Sequence, residues 1–174
     1  MTTPMSVIRQ DGEGEHLWFA GGGLFTMKTT LAETNKAFCL HEDREVSGKA
    51  TPLHRHPNND EVLYVLEGEI LAYMAGEEHW VGKGGVFVAL RGEPHAFMVT
   101  SEAARLLCMT VPGTGWPELF YRELCESAEP GAVPGTHPTN FAKLGEVAAA
   151  HPESIEILGP PPFASMAHET STPA

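Results

Sequence analysis

The spacing of three histidines, one glutamate and four glycines between residues 48 and 95 constrains this chain more than any other feature. His54 and His56 are separated by one residue, Glu61 follows after four more, and His95 comes later. Glycines suited to turns surround them: Gly48, Gly68, Gly84 and Gly92. Imidazole and carboxylate groups are ligands of first-row divalent ions. The pattern therefore predicts one divalent metal site inside a β-structure.

Short hydrophobic runs between glycine-rich turns fill residues 16–111. Segments such as EVLYVLEG, EILAYMAG and ARLLCMT have the length and composition of strands. Many short strands at hairpin spacing predict a sandwich or a barrel. We expect an all-β fold with an N-terminal arm at residues 1–15, a β-barrel at 16–111, and short helices with a Pro/Gly-rich tail at 112–174.

The C-terminal part has a different pattern. Residues 116–127 (WPELFYRELCES) place apolar side chains at helical spacing, and Pro117 suits the first turn of a helix. Asn140 is positioned to cap a second short helix that ends near Ala150. From Gly159 onwards, we expect an extended and partly disordered tail.

Composition excludes several classes of partner. The net charge is −12 with only 11 Lys and Arg residues, so a nucleic-acid partner is not expected. No signal peptide and no apolar run of membrane-spanning length is visible. The cysteines are few and odd in number, which favours reduced structural thiols and a cytoplasmic location over a disulfide framework: Cys39, Cys108 and Cys125.

Strand alternation gives the candidate site its geometry. Residues two apart share a face, so His54 and His56 point inward and Arg55 points outward. Three adjacent strands could then aim these two histidines, Glu61 and His95 at one point. Three neutral nitrogens and one carboxylate leave a divalent ion with residual positive charge, and iron, manganese, nickel, cobalt, copper and zinc are all compatible. The alternative is a set of ordinary surface or core histidines without a metal.

The motif around these residues resembles that of the cupins. The first cupin motif is matched in full by Gly48, His54, His56, Glu61 and Gly68. The second motif is matched by Gly84, Gly92 and His95, whereas Leu90 replaces its proline and Val99 its asparagine. The resemblance covers Gly48 to Val99 and implies a double-stranded β-helix, or jelly-roll, barrel that holds a metal through the three histidines and the glutamate.

The flanking segments resemble single-domain bacterial cupins of the quercetinase-like group. The segments that carry this likeness are PGTGWPELFYREL and IEILGPPPF. The resemblance implies a dioxygenase that acts on a small enol or phenolic, flavonol-like substrate, with Glu61 as a catalytic base besides its role as a ligand. Dioxygen and a small organic molecule are then the partners, and a homodimer is expected. Tyr64 and Trp80 are interpreted as outward residues of its interface.

Other functions stay open. A metal-dependent isomerase, decarboxylase or lyase would call for inward polar residues, and the strands offer few beyond Lys28, Lys36 and Arg105. A non-catalytic binding cupin is the third alternative, although no DNA-binding helix-turn-helix accompanies the barrel.

The inner wall of the barrel is expected to be apolar. Its candidate pocket residues, each of which could equally be plain core packing, are Phe38, Leu40, Met74, Phe97 and Met109.

Overall fold

Two antiparallel β-sheets form the body of the protein in the computed structural model, which describes residues 6–19, 22–113, 118–135 and 141–163. In chain order the elements are β1 (Glu15–Phe19), β2 (Gly23–Met27), β3 (Cys39–Val46), β4 (Leu53–Arg55), β5 (Asp60–Glu67), β6 (Glu69–Met74), β7 (Glu77–Gly82), β8 (Val86–Ala89), β9 (His95–Val99), β10 (Ala103–Val111), α1 (Glu118–Leu124), β11 (Glu126–Ser127), α2 (Phe141–Ala150) and β12 (Glu156–Gly159).

The strand order identifies the architecture. One sheet has the order β11-β1-β2-β3-β10-β5-β8, and the other has the order β12-β4-β9-β6-β7. Neighbours in each sheet are antiparallel, and consecutive strands often lie in different sheets. The all-β jelly-roll predicted from the sequence is confirmed.

The core lies between the inner faces of the two sheets. On β10, Ala104, Leu106 and Cys108 are buried, whereas the residues between them are half-buried. This period of two is what a strand with one covered face requires. The same cluster takes in Ile70 and Val99 from the facing sheet, so the two sheets share one apolar layer.

The turn at Gly68 shows why a glycine stands there. Its φ of +79° lies in the left-handed region, and a Cβ at this position would come within 2.2 Å of the carbonyl oxygen of Ala103. A larger residue would have to push β10 away from the β5–β6 turn.

Two helices cover one end of the barrel. Phe120 and Tyr121 of α1 are buried against Phe25 of β2 and Leu144 of α2 in a second apolar cluster. Helices are thus present in both predicted regions, although Trp116, Pro117 and Asn140 lie outside the described residues. The first helix ends at Leu124 rather than near residue 127, because residues 126 and 127 pair with β1 instead.

The last described strand, β12, was not expected. It pairs with β4, and Ile157 lies opposite His54. The division of the chain at residues 15 and 111 remains a prediction. Within the described ranges, none of the helices combines the length and the hydropathy that crossing a bilayer requires.

Candidate metal centre

Four buried side chains converge between the sheets. His54 of β4, His56 just after it, Glu61 of β5 and His95 of β9 each offer a ligand atom, and these atoms lie within 4.8 Å of one another. The four residues are between 1 and 9% exposed. Donors about 2.0–2.2 Å from one ion fall within this spread, so the arrangement fits a single metal.

The ligands come from both sheets. His54 and His95 are paired neighbours on β4 and β9, whereas Glu61 lies on β5 in the opposite sheet. The expectation of three adjacent strands is therefore corrected. Residues 56–60 carry the chain from one sheet to the other, and the four side chains meet across the barrel.

Backbone carbonyls orient all three imidazoles. A carbonyl oxygen can only accept a hydrogen bond, so each ring carries its proton on Nδ1 and directs Nε2 elsewhere. The Nδ1–O distances are 2.8 Å from His54 to Pro52, 2.9 Å from His56 to Ser154 and 2.8 Å from His95 to Glu93. Such support fixes the tautomer of metal-binding histidines. The donor set is that of a site for a first-row divalent ion.

Glu61 is the anionic centre of the cluster. Its Oε2 lies 3.0 Å from Nε2 of His95 and 3.6 Å from Nε2 of His56. Burial opposes ionisation, but the hydrogen bond from His95 and the charges of the two rings outweigh it and hold the pKa of Glu61 well below its usual range. The carboxylate is therefore ionised at neutral pH.

The same surroundings shift the pKa values of His54 and His95. Burial lowers the pKa of His54 to about 3, and the neighbouring His95 and His56 act in the same direction. For His95, burial acts downward as well, but the hydrogen bond to Glu61 outweighs it and raises the pKa. His54 is thus a neutral nitrogen donor at physiological pH.

Gly92 connects the second motif to the first. Its N–H donates a hydrogen bond of 2.8 Å to the carbonyl oxygen of His56, and its φ of +81° is one that glycine adopts without strain. The turn before His95 thereby holds the backbone of another candidate ligand.

A partly open cavity of about 60 Å³ adjoins the cluster at His54 and Glu61. Its wall includes Phe97 and Leu63 from the sheets. The C-terminal part of the chain contributes further apolar wall residues: Phe120, Tyr121, Leu144, Ile155 and Ile157. The helices and β12 therefore complete the chamber next to the candidate ligands.

The five predicted pocket residues divide into four groups. Phe97 lines the cavity, and Met74 packs against the inner cluster opposite His95. Leu40 and Met109 pair with each other across β3 and β10 and are half-buried. They alternate with the buried residues of those strands and so face away from the cavity.

Phe38 precedes β3. It is half-buried, and its backbone packs against Gly113. It does not line the cavity.

Sequence reasoning missed three charged residues in the cavity wall. Asp43, Glu45 and Lys49 line it and are 3, 1 and 8% exposed. Two signals could have found them. Asp43 and Glu45 continue the inward alternation of Cys39 and His41, and Lys49 stands only five residues before His54.

The three basic residues considered from the sequence lie elsewhere. Lys28 donates to the carbonyl oxygen of Glu13 at 2.9 Å, the side chain of Lys36 is exposed, and Arg105 pairs with Glu42 at 2.8 Å.

Comparison with known proteins decides the family of the central region. Residues 42–110 match the family described as "Cupin domain". This part of the chain is a cupin domain. It contains the four candidate ligands, so the cluster of histidines and glutamate lies within a metal-binding fold.

The chain is also similar to one curated enzyme. Over 109 residues the chain is 28% identical to quercetin 2,3-dioxygenase of Bacillus subtilis. The match covers 63% of this chain but only 32% of the relative, so the chain spans about a third of that protein's length.

Solved structures support the fold of the cupin domain. An RmlC-like cupin from Shewanella frigidimarina superimposes with a TM-score of 0.57 at 18% identity, covering 66% of this chain and 97% of that one. A predicted oxalate decarboxylase from Thermotoga maritima gives 0.54 at 22% identity, covering 62% and 99%. At these identities the similarity extends to the fold alone.

Proposed function

We propose that the cupin domain catalyses metal-dependent oxygenation of a small enol or phenol, with one divalent ion held by His54, His56, Glu61 and His95. The observation that carries the proposal is the set of Nδ1–carbonyl hydrogen bonds, which presents three Nε2 atoms and one carboxylate beside an apolar cavity. The similarity to quercetin 2,3-dioxygenase supports the oxygenase class.

The carboxylate and the apolar residues of the site have different roles in this reaction. A bound divalent ion would supply Lewis acidity and hold an electron-rich substrate in place. Glu61, ionised and at the edge of the cavity, is placed to receive the acidic proton of the substrate. Phe97 and Leu63 exclude water from the reacting end.

The low pKa of Glu61 limits the substrates. A carboxylate that a bound cation would hold ionised is a weak base. It therefore suits enols and phenols bound next to a cation, whose protons are acidic, better than unactivated C–H bonds. In this proposal Glu61 is both a metal ligand and the acceptor of the substrate proton.

The size of the cavity also narrows the substrate. Its volume of about 60 Å³ is small beside the roughly 300–1,000 Å³ of pockets that hold drug-sized ligands. Three-ring flavonols are therefore the least favoured of the candidate substrates.

A second candidate is an isomerase, decarboxylase or lyase reaction that uses the same metal without oxygen. The observation that favours it is the presence of Lys49, Glu45 and Asp43 in the cavity wall, since such chemistry calls for inward polar groups. Binding of a small molecule without turnover is the remaining alternative.

Oxygen uptake separates these functions. Protein reconstituted with iron, manganese, nickel or cobalt is assayed against catechols, enediols and flavonols, together with Glu61→Ala. The exposed variant His79→Ala serves as the control. Uptake that requires metal and substrate and disappears only in Glu61→Ala supports the oxygenase. Product without uptake supports the second candidate.

We also propose a homodimer, formed through the outer face of β5 and β8. Tyr64 pairs with Val86 and Val62 with Val88, which places all four side chains on one face. Tyr64, Val86 and Val88 are 41–55% exposed, and exposed apolar patches on edge strands favour association. The cytoplasmic location remains a prediction, supported by three buried free cysteines.

A further inference from the structure

The cavity has a second polar end. Besides His54 and Glu61, its wall includes Glu45, which is 1% exposed, and Lys49, which is 8% exposed. Buried charged groups are expected to have partners, yet Oε2 of Glu45 accepts no hydrogen bond among the described residues.

The register of the sheet places the two ends apart. Cys39 pairs with Thr110, and Thr110 pairs with Glu61, so the start of β3 lies beside the candidate metal centre. Glu45 lies six residues further along β3, on the same inward face. Its carboxylate is therefore at the end of the cavity remote from Glu61.

The other carboxylate on this wall is already occupied. Asp43 accepts a hydrogen bond of 2.5 Å from Nδ1 of His41 at one oxygen and one of 3.3 Å from the thiol of Cys108 at the other. Of the two wall carboxylates away from the candidate metal centre, Glu45 is thus the one with an oxygen that accepts no hydrogen bond among the described residues.

Gly23 makes room for this carboxylate. A Cβ at position 23 would come within 2.2 Å of Oε2 and 2.5 Å of Oε1 of Glu45. The carboxylate therefore fills the space in which a side chain of residue 23 would stand. Nearby, Lys49 Nζ lies 4.1 Å from the centre of the Phe19 ring.

We propose that Glu45 is a specificity-determining residue, which hydrogen-bonds a hydroxyl group at the end of the substrate remote from the reacting enol or phenol. The substrate class, which rests on the proposed function, is then a phenol or enol with a second hydroxyl on a short substituent. Phe25, Leu63 and Phe97 contact the apolar part between the two polar ends.

The protonation of Glu45 agrees with this role. Burial raises the pKa of Glu45 to about 8, although Lys49 acts in the opposite direction. The uncharged carboxyl that burial favours can both donate to and accept from a hydroxyl.

A pair of isosteric catechols tests the proposal by binding rather than turnover. 4-(2-Hydroxyethyl)catechol and 4-propylcatechol differ by a hydroxyl in place of a methyl group. Calorimetry on cobalt-loaded protein without oxygen should show about tenfold tighter binding of the hydroxyethyl compound. Glu45→Leu should remove this preference, whereas Glu45→Gln should keep most of it, because an amide still hydrogen-bonds. The exposed variant Glu67→Leu is the control.

Gly23→Ala provides a second variant should Glu45→Leu fail to fold. The added methyl group displaces the Glu45 carboxylate without changing its chemistry, so the preference should fall here as well. Equal binding of the two catechols to the unaltered protein, binding of neither, or an unchanged preference in Glu45→Leu or Gly23→Ala would overturn the inference.

The two proposals fail separately. A hydroxyl preference without oxygen uptake leaves the role of Glu45 intact and removes the oxygenase. Oxygen uptake without a hydroxyl preference supports the oxygenase and refutes the role of Glu45.

Discussion

The imidazole of His56 donates a hydrogen bond of 2.9 Å from Nδ1 to the carbonyl oxygen of Ser154, 98 residues later in the chain. The same C-terminal segment pairs with the strand that carries His54, through Ile157. The amide of Asn58 adds a hydrogen bond of 2.7 Å to the carbonyl of Glu153. The orientation of both histidines therefore depends on a segment far outside the motif that contains them.

Ile157→Pro should weaken metal binding. Proline in a strand disturbs its pairing, here opposite His54, and loss of support for metal ligands typically costs about 10–100-fold in affinity. Ile157→Val, which keeps the backbone donor, should bind metal normally. Metal titration by calorimetry measures the difference, and equal affinities for the two variants would contradict the prediction.

His54→Ala or His95→Ala should abolish stoichiometric metal binding while the barrel stays folded, because the β-sheet hydrogen bonds do not involve these rings. His79→Ala, at an exposed position, should retain one metal per chain. Elemental analysis with circular dichroism provides both readouts. Full metal occupancy in either of the first two variants would refute the proposed ligand set.

Phe120→Ala should lower the free energy of unfolding by about 3–5 kcal/mol, since it removes a large side chain from a packed cluster. Phe120 is 2% exposed, whereas its neighbour Leu119 on the same helix is 52% exposed. Leu119→Ala should change the stability by less than about 0.5 kcal/mol. Urea unfolding compares the two, and similar midpoints would show that α1 does not cover the barrel as described.

Stability should depend on pH through Glu42. Burial opposes its ionisation, but hydrogen bonds from Arg105 at 2.8 Å and Arg44 at 3.0 Å hold its pKa below the ordinary value. A lowered carboxyl pKa contributes stability that is fully present above the unfolded-state pKa, about 4.3. That stability is lost as the pH falls through the folded-state pKa.

Glu42→Gln should therefore be less stable than the unaltered protein at pH 7, by about 1–3 kcal/mol, and the gap should narrow towards pH 3. Glu67→Gln, an exposed change, serves as the control. Urea unfolding across this pH range measures the gap, and a constant gap would exclude Glu42 as the source of the dependence.

Val88→Glu should shift the protein from dimer to monomer, because it places a charge in the exposed apolar face of β5 and β8. Lys83→Glu introduces a comparable charge outside the strands and should leave the dimer intact. Light scattering after size-exclusion chromatography measures the mass. A monomeric unaltered protein would end this proposal, and a dimeric Val88→Glu would place the interface elsewhere.

The cluster of candidate ligands was predictable because its signal is local. The period of two from β4 into the residue that follows it places His54 and His56 on one face, and the glycine turns fix where the strands end. These relationships hold within a few residues, so they can be recognised before any packing is known.

The inward face of β3 was not predictable in the same way. Hydrophobicity favoured Leu40 as an inward residue, but the buried face carries Asp43 and Glu45, which line a cavity rather than a dry core. Hydrophobic residues usually mark the buried face of a strand, and polar residues on that face reverse this signal. Met109 pairs with Leu40 and therefore also faces away from the cavity.

The sequence by itself determined an all-β chain with three histidines and a glutamate at ligand spacing, because alternation and turn chemistry are properties of neighbouring residues. Only the tertiary structure decided that Glu61 meets the histidines from the opposite sheet, that Ser154 orients His56, and that Glu45 lies at the far end of the cavity. The longest of those relationships joins residues 98 positions apart, His56 and Ser154. These relationships depend on how two sheets and a C-terminal strand pack together, which no local pattern encodes.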